Sequence, residues 1–155
     1  MLDANDPCPD FTLPVAGGGE VSTSDFAGKV AVIYFYPRAD TPGCTTQAQD
    51  FTAMLPDLEA LGATVIGISK DPVGKLEKFA AKRDLAITLA SDEDGDVCER
   101  FGVWKEKSMY GKTYMGIERS TFLIGPDGRV AQVWRKVRAK GHADAVMEAV
   151  KALAG

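Results

Sequence analysis

Three cysteines, Cys8, Cys44 and Cys98, are the residues of this 155-residue chain best suited to nucleophilic or redox chemistry. Only Cys44 sits in a setting that would sharpen its reactivity. It ends the stretch Pro37-Arg38-Ala39-Asp40-Thr41-Pro42-Gly43-Cys44, which follows an apolar run and precedes a helical pattern. That order would put its sulfur in the first turn of a helix, where unpaired backbone N–H groups favour an anion. A thiol so placed is held as thiolate more readily than one in water, and the thiolate is the nucleophile. Thr41, three residues earlier, offers a hydroxyl to a bound oxygen. Pro37 and Pro42 stiffen the loop and remove two N–H groups, which suits a pocket that excludes water.

The remaining candidates carry less chemistry. Cys98, beside Val97 and Phe101, reads as a small core residue, and Cys8 as an idle thiol near the terminus. His142 is the only histidine; next to Gly141, ahead of the last helix, it is expected to be exposed and without a role. One histidine and three scattered cysteines do not make a zinc set, so no metal or other cofactor is expected. Gly17-Gly18-Gly19 reads as a turn, since no helix or lysine follows to complete a phosphate cradle. Trp104 and Tyr110 are expected either in the core or on the wall of the pocket.

The elements that must position Cys44 follow from hydrophobic pattern. Val30-Ala31-Val32-Ile33-Tyr34-Phe35-Tyr36 and Ala63-Thr64-Val65-Ile66-Gly67-Ile68-Ser69 are continuous apolar runs, the mark of strands buried on both faces. Between them, Phe51, Met54, Leu55, Leu58 and Leu61 repeat at helical spacing from Thr45 to Leu61, with Pro56 expected to kink the helix. Strand, helix and strand make a crossover unit with parallel strands. A second helix is expected from Pro72 to Arg83, with Val73, Leu76, Phe79 and Ala80 inward. Thr88-Leu89 is a short strand, and Ser91-Asp92-Glu93-Asp94 an acidic lead into a helix at Val97 to Phe101. Thr121–Ile124 and Val130–Trp134 flank the turn Gly125-Pro126-Asp127-Gly128 and should pair as a hairpin. The last helix, Ala143 to Leu153, places Val146, Ala149, Val150 and Leu153 on one face. Near the start, Phe11-Thr12-Leu13 and Val21-Ser22 suggest a small accessory hairpin.

A β-α-β half followed by a β-β-α half is the order of a thioredoxin-like α/β fold, a central mixed sheet flanked by helices. No repeat or long linker interrupts residues 1–155, so one domain is expected. A net charge of −4 without a basic patch argues against a nucleic-acid partner. No apolar run is long enough to span a membrane. The acidic start Met1-Leu2-Asp3-Ala4-Asn5-Asp6 does not look like a signal peptide. A cytoplasmic protein with reduced cysteines is the expectation.

The spacing of Pro37, Thr41 and Cys44 resembles the active-site loop of peroxiredoxins. The fuller string from Tyr36-Pro37 through Thr41-Pro42-Gly43-Cys44-Thr45 is similar to the bacterioferritin-comigratory, or Q-type, subgroup. Gly67-Ile68-Ser69, Ser91-Asp92, Val97-Cys98-Glu99, Phe101-Gly102-Val103-Trp104, Gly111-Lys112-Thr113-Tyr114 and Arg119-Ser120-Thr121-Phe122 extend the likeness over nearly the whole chain. The resemblance implies a thiol peroxidase in which Cys44 attacks the O–O bond of hydrogen peroxide or an organic hydroperoxide and becomes a sulfenic acid. It also implies that Thr41 orients the peroxide, Pro37 shields the sulfur, Arg119 holds the thiolate and the developing charge, and Gln47 supports the loop. A thioredoxin-like protein or a small thiol would supply the electrons, and the subgroup's members are often monomers.

One departure matters. Members of the subgroup commonly carry a resolving cysteine five residues after the first, and here that residue is Gln49. Other members place it in the next helix, but Lys75 to Arg83 holds no cysteine. A one-cysteine cycle with an external thiol is therefore expected, with Cys98 as resolver after local unfolding the alternative. A thiol–disulfide oxidoreductase is disfavoured because no Cys-x-x-Cys pair exists. A peroxide sensor or chaperone-like protein that oxidises once and stalls stays open.

Overall fold

Every residue of Val30–Phe35 (β3) is buried in the computed structural model, which describes residues 2–154. Met1 and Gly155, the ends of the expected domain, lie outside the described residues. Burial on both faces means that this strand has covering layers above and below it. Val32, Tyr34 and the following Tyr36 face one core, with residues of helices Pro42–Ala60 (α1), Val73–Arg83 (α2) and His142–Ala154 (α4). Ala31, Ile33 and Phe35 face the other, with Phe11, Leu13, Phe26 and the short helix Val97–Arg100 (α3).

Around β3 the sheet runs in the order Thr88–Ser91 (β5), Ala63–Ser69 (β4), β3, Ser120–Ile124 (β8), Val130–Trp134 (β9). Strands β4 and β5 are parallel to it, as the crossover pattern demands. On its other side β8 pairs antiparallel, and β9 completes the expected hairpin. The thioredoxin-like order is thus present. The accessory hairpin forms from Thr12–Pro14 (β1) and Glu20–Ser22 (β2), and leans on β5 through the Ala16 amide and Leu89 carbonyl.

Several boundaries move, for identifiable reasons. Helix α1 starts at Pro42, whose fixed φ suits a first helical position, and it continues through Pro56. Helix α2 starts at Val73 with Pro72 at its cap; Leu76 and Phe79 are buried, Val73 and Ala80 only in part. Strand β5 extends to Ser91, and Asp92 then accepts hydrogen bonds from the Val97 and Cys98 amides at 3.2 and 2.8 Å, capping α3 from upstream. Leu153 is 37% exposed instead of inward, because the final turn of α4 runs past its buried face, which ends at Val150.

A second hairpin, Trp104–Met109 (β6) with Lys112–Ile117 (β7), has no counterpart in the sequence expectations. Its turn residues Tyr110 and Gly111 both have positive φ, 53° and 78°, as a two-residue primed turn requires. Tyrosine in the first of these positions concealed the turn.

His142 is the clearest correction. It is 7% exposed, where exposure was expected. Its Nε2 pairs with Thr121 Oγ1 at 2.8 Å, and its ring meets Phe51 and Trp134 edge-on. Phe51 in turn stacks on Tyr34 with centroids 4.9 Å apart, so this cluster locks α1 and α4 to the sheet. Burial, with the Arg119 charge adding to it, lowers His142 to about 4 from its usual 6.5. In the unfolded chain the imidazole takes a proton below 6.5, whereas the folded one stays neutral down to about 4. The unfolded state then binds more protons, so stability drops as pH falls through that window. Thermal unfolding between pH 7 and 4 should show a shallower decline in His142→Gln than in the parent. Equal declines would mean that His142 is not the group responsible.

Candidate active site

Strand pairing assembles the site. Phe35 lies opposite Ser120 in the β3–β8 ladder, so Arg119, the residue before Ser120, arrives beside the point where the chain leaves β3 for the Cys44 loop. The Arg119 carbonyl accepts from the Val137 amide at 2.9 Å, which fixes its backbone. Its side chain then spans to α1: Nη2 donates to Cys44 Sγ at 3.3 Å and Nη1 donates to Gln47 Oε1 at 2.7 Å. Cys44 and Gln47, three residues apart, share one helix face, so one guanidinium serves both. Gly43 makes room. A Cβ there would stand 3.1 Å from Arg119 Nη2.

The loop over the sulfur is anchored at three points. The Ala39 amide donates to Asp71 Oδ2 at 2.7 Å, and Ser69 Oγ donates to the same oxygen at 2.8 Å. Asp40, with φ 62°, forms ion pairs with Lys82 and Arg83 at 2.7 and 3.0 Å. Hydrogen bonds from those two side chains hold the Asp40 carboxyl below the usual carboxylate range. Thr41 Oγ1 donates to the Arg38 carbonyl at 2.8 Å. Its proton is thus committed, and what the hydroxyl can still offer is a lone pair to an O–H donor. The anchoring roles of Asp71 and Asp40 were missed by sequence reading: Asp71 lies outside the loop motif, and the contacts that pin the loop join residues 32–43 apart. No local signal would have found them.

Cys44 is 1% exposed. Among the described residues, Gln47 Nε2, Thr45 Oγ1 and the Tyr34 hydroxyl are buried without a hydrogen-bond partner. Tyr34 is pushed well above its ordinary value by burial, with the neighbouring Tyr36 and Cys44 adding to the effect. Unsatisfied buried groups cost about 1–3 kcal/mol each, so this corner of the fold is built at the expense of stability.

The other sequence candidates fall elsewhere. Pro37 is exposed on the wall of a cleft of about 640 Å³ that also takes in Arg38, Thr41, Trp104 and Lys107. Trp104 therefore belongs to the wall, whereas Tyr110 is 98% exposed at the hairpin tip and off it. Cys98 is fully buried in the core on the far side of the sheet from Cys44. Burial, reinforced by the Asp92 charge, raises its thiol strongly. Cys8 packs against that same far core, and burial with the Asp10 charge lifts it to about 11. Gln49 is exposed. Among the described residues, no cluster of His, Cys, Asp and Glu suits a metal ion, and no helix is long and apolar enough to cross a membrane.

Residues 4–133 match the model of the AhpC/TSA family. The chain belongs to that family. It is 50% identical over 148 residues to peroxiredoxin Bcp of Xanthomonas campestris, an alignment covering 94% of this chain and 92% of the relative. It is 47% identical to peroxiredoxin Bcp of Escherichia coli, covering 97% and 96%. A solved structure of the Xanthomonas campestris bacterioferritin comigratory protein superposes with a TM-score of 0.89 at 49% identity, covering 94% and 92% of the two chains. These relatives place it in the Bcp, or peroxiredoxin Q, subgroup, and its activity is that of a thiol peroxidase.

For this peroxiredoxin, Gly43 offers a clean separation of activity from stability. Gly43→Ala should hold or slightly raise the melting temperature, because alanine is the better helix former by about 0.5–1 kcal/mol. The added Cβ should displace the guanidinium and slow oxidation of Cys44 by about tenfold, in line with the sensitivity of catalysis to small misplacements. Stopped-flow oxidation and thermal melts of the same variant check both halves. An unchanged rate would show that the close approach at Gly43 is incidental.

Proposed function

We propose that Cys44 is the peroxide-attacking residue and that the enzyme reduces hydrogen peroxide and organic hydroperoxides by a one-cysteine cycle. The observation that carries this reading is the Arg119 guanidinium donating to Cys44 Sγ at 3.3 Å while Gln47 holds its other arm at 2.7 Å. Attack by the sulfur on the terminal oxygen forms an S–O bond and breaks the O–O bond, and the leaving hydroxide or alkoxide departs as water or an alcohol after taking a proton from solvent. Negative charge moves from sulfur to the leaving oxygen, and fixed donors aimed at both lower the barrier. Arg119 is suited to that task, and Thr41 Oγ1 to accepting a hydrogen bond from the peroxide's O–H. Gln47 acts through Arg119 as a positioning residue. Pro37 lines the approach.

Organic hydroperoxides are included because the solved Xanthomonas campestris relative is described for its alkyl peroxide reduction activity. A one-cysteine cycle is favoured by where the other thiols lie. A disulfide needs Cα atoms within about 7 Å, and the sheet stands between Cys44 and Cys98. The reductant is therefore an external thiol, from a thioredoxin-like protein or a small molecule. Residues 1–155 are taken as one catalytic domain acting in the cytoplasm as a monomer.

Intact mass measured within seconds of adding one equivalent of hydrogen peroxide to reduced protein tests the cycle. The parent and Cys98→Ser should each gain one oxygen atom, and Cys44→Ser should gain none. Loss of two hydrogens requiring both Cys44 and Cys98 would instead establish Cys98 as the resolver.

A further inference from the structure

The hairpin of β6 and β7 stands apart from the main sheet. Its strands pair only with each other, and its base is tied to the body, where Ile117 is buried and Trp104 packs on the far core. Toward the tip, residues 108–115 are all exposed. Met109, Tyr110, Tyr114 and Met115 are four of the five exposed large hydrophobic residues among those described, so the exposed apolar surface is concentrated here. Tyr110, the most exposed of them, holds a turn position with φ 53° that bulky residues rarely adopt. Folding does not call for a tyrosine there, since asparagine before Gly111 would make the preferred two-residue turn.

Side chains alternate across a hairpin, and directly opposed residues share a face. The pairs Lys105–Gly116, Lys107–Tyr114 and Met109–Lys112 make one face, and Glu106–Met115 and Ser108–Thr113 belong to the other. The first face holds three lysines and no carboxylate. None of these lysines forms an ion pair among the described residues. The Lys107 stem and the Tyr114 ring lie against Gly116, where a Cβ would meet them at 3.2 and 3.4 Å. A lysine stem laid along apolar surface in this way leaves its ammonium free to reach a polar layer.

We propose that this hairpin docks the protein on an anionic lipid bilayer, with Met109, Tyr110 and Met115 entering the headgroup boundary and Lys105, Lys107 and Lys112 meeting lipid phosphates. Two observations favour a bilayer over a folded acidic partner. The apolar side chains occupy the turn and both faces of the tip; a rigid surface covers one face, whereas a fluid layer closes around all of them. The order along the hairpin also matches depth in an interface, with Met109 and Tyr110 leading and Lys107 and Lys105 behind them. The chain as a whole carries a net charge of −4. Salt screens a charged surface within about 10 Å at about 0.1 M, so lysines at the contact outweigh acidic groups on the opposite side. Pro37, Arg38 and Thr41 line the cleft beside the hairpin, so docking brings the Cys44 loop to the headgroup layer.

The test sediments the reduced whole chain with vesicles of equal parts phosphatidylglycerol and phosphatidylcholine, and with vesicles of phosphatidylcholine alone, at low ionic strength. The parent should partition at least about tenfold more strongly to the anionic vesicles, and high salt should remove most of that preference. Tyr110→Asn improves the turn, so its thermal melt should match or exceed the parent's, while its binding falls about tenfold through lost apolar burial. Lys112→Glu should weaken binding by about tenfold or more. Lys151→Glu makes the same charge change on α4 and should stay within about twofold of the parent. Equal partition to both vesicles would overturn the proposal. No sedimentation with either would also overturn it, leaving a folded acidic partner as the occupant of this face. A loss in Lys151→Glu as large as in Lys112→Glu would overturn it as well, because overall charge and not the hairpin would then govern binding.

Discussion

The Arg119 guanidinium ties the start of α1 to the start of β8, and the site depends on that one bridge. It joins two parts of the chain 72–75 residues apart through hydrogen bonds to Gln47 and Cys44. A guanidinium presents its donors in a fixed plane, so its two contacts also fix each other's direction. Lysine in its place would supply charge without that geometry. Much of the surrounding architecture can be understood as what brings these three side chains together. Parallel β3 and β4 require a crossover helix, which begins at the loop where β3 ends. The antiparallel β8 then delivers Arg119 to the same strand end.

The site is also costly to build. A buried sulfur and a partly buried guanidinium meet beside a loop pinned by Asp71 and Asp40, and several buried polar groups have no partner among the described residues. Each such feature works against stability, and the neighbouring aromatic cluster of Tyr34, Phe51, Trp134 and His142 offsets it by apolar burial. A packed aromatic side chain contributes roughly 1.5–3 kcal/mol on burial. Rigid packing next to unsatisfied polarity is the arrangement expected where function sets the local chemistry and the core compensates.

Legibility in the sequence followed the range of the interactions. Strand β3, helix α1 and the β8–β9 hairpin were readable because an apolar run, a helical repeat and a Gly-Pro-Asp-Gly turn are local signals. Cys44 and Thr41 were readable for the same reason, being part of one loop. Arg119 and Gln47 could be named only by resemblance, since their partnership exists only across the sheet. The β6–β7 hairpin stayed hidden behind a largely polar sequence and a tyrosine at its turn, although it supplies Trp104 and Lys107 to the cleft. His142 was misjudged because a glycine neighbour suggests exposure, while its burial comes from Thr121 and two aromatic rings distant in the chain. That Cys98 and Cys44 occupy opposite cores follows from sheet topology and not from their spacing.

The central claim, that Arg119 organises Cys44 for attack, is tested most directly by the second-order rate constant for Cys44 oxidation by hydrogen peroxide in Arg119→Gln and Arg119→Lys. Removing a preorganised donor of this kind typically costs about 10²–10³ in rate. The glutamine variant should fall by at least about a hundredfold, and lysine should restore only part of that loss because it lacks the two-armed geometry. A rate within about threefold of the parent in both variants would contradict the account, because the bridge between Cys44 and Gln47 would then be structural and the sulfur's reactivity would have another source.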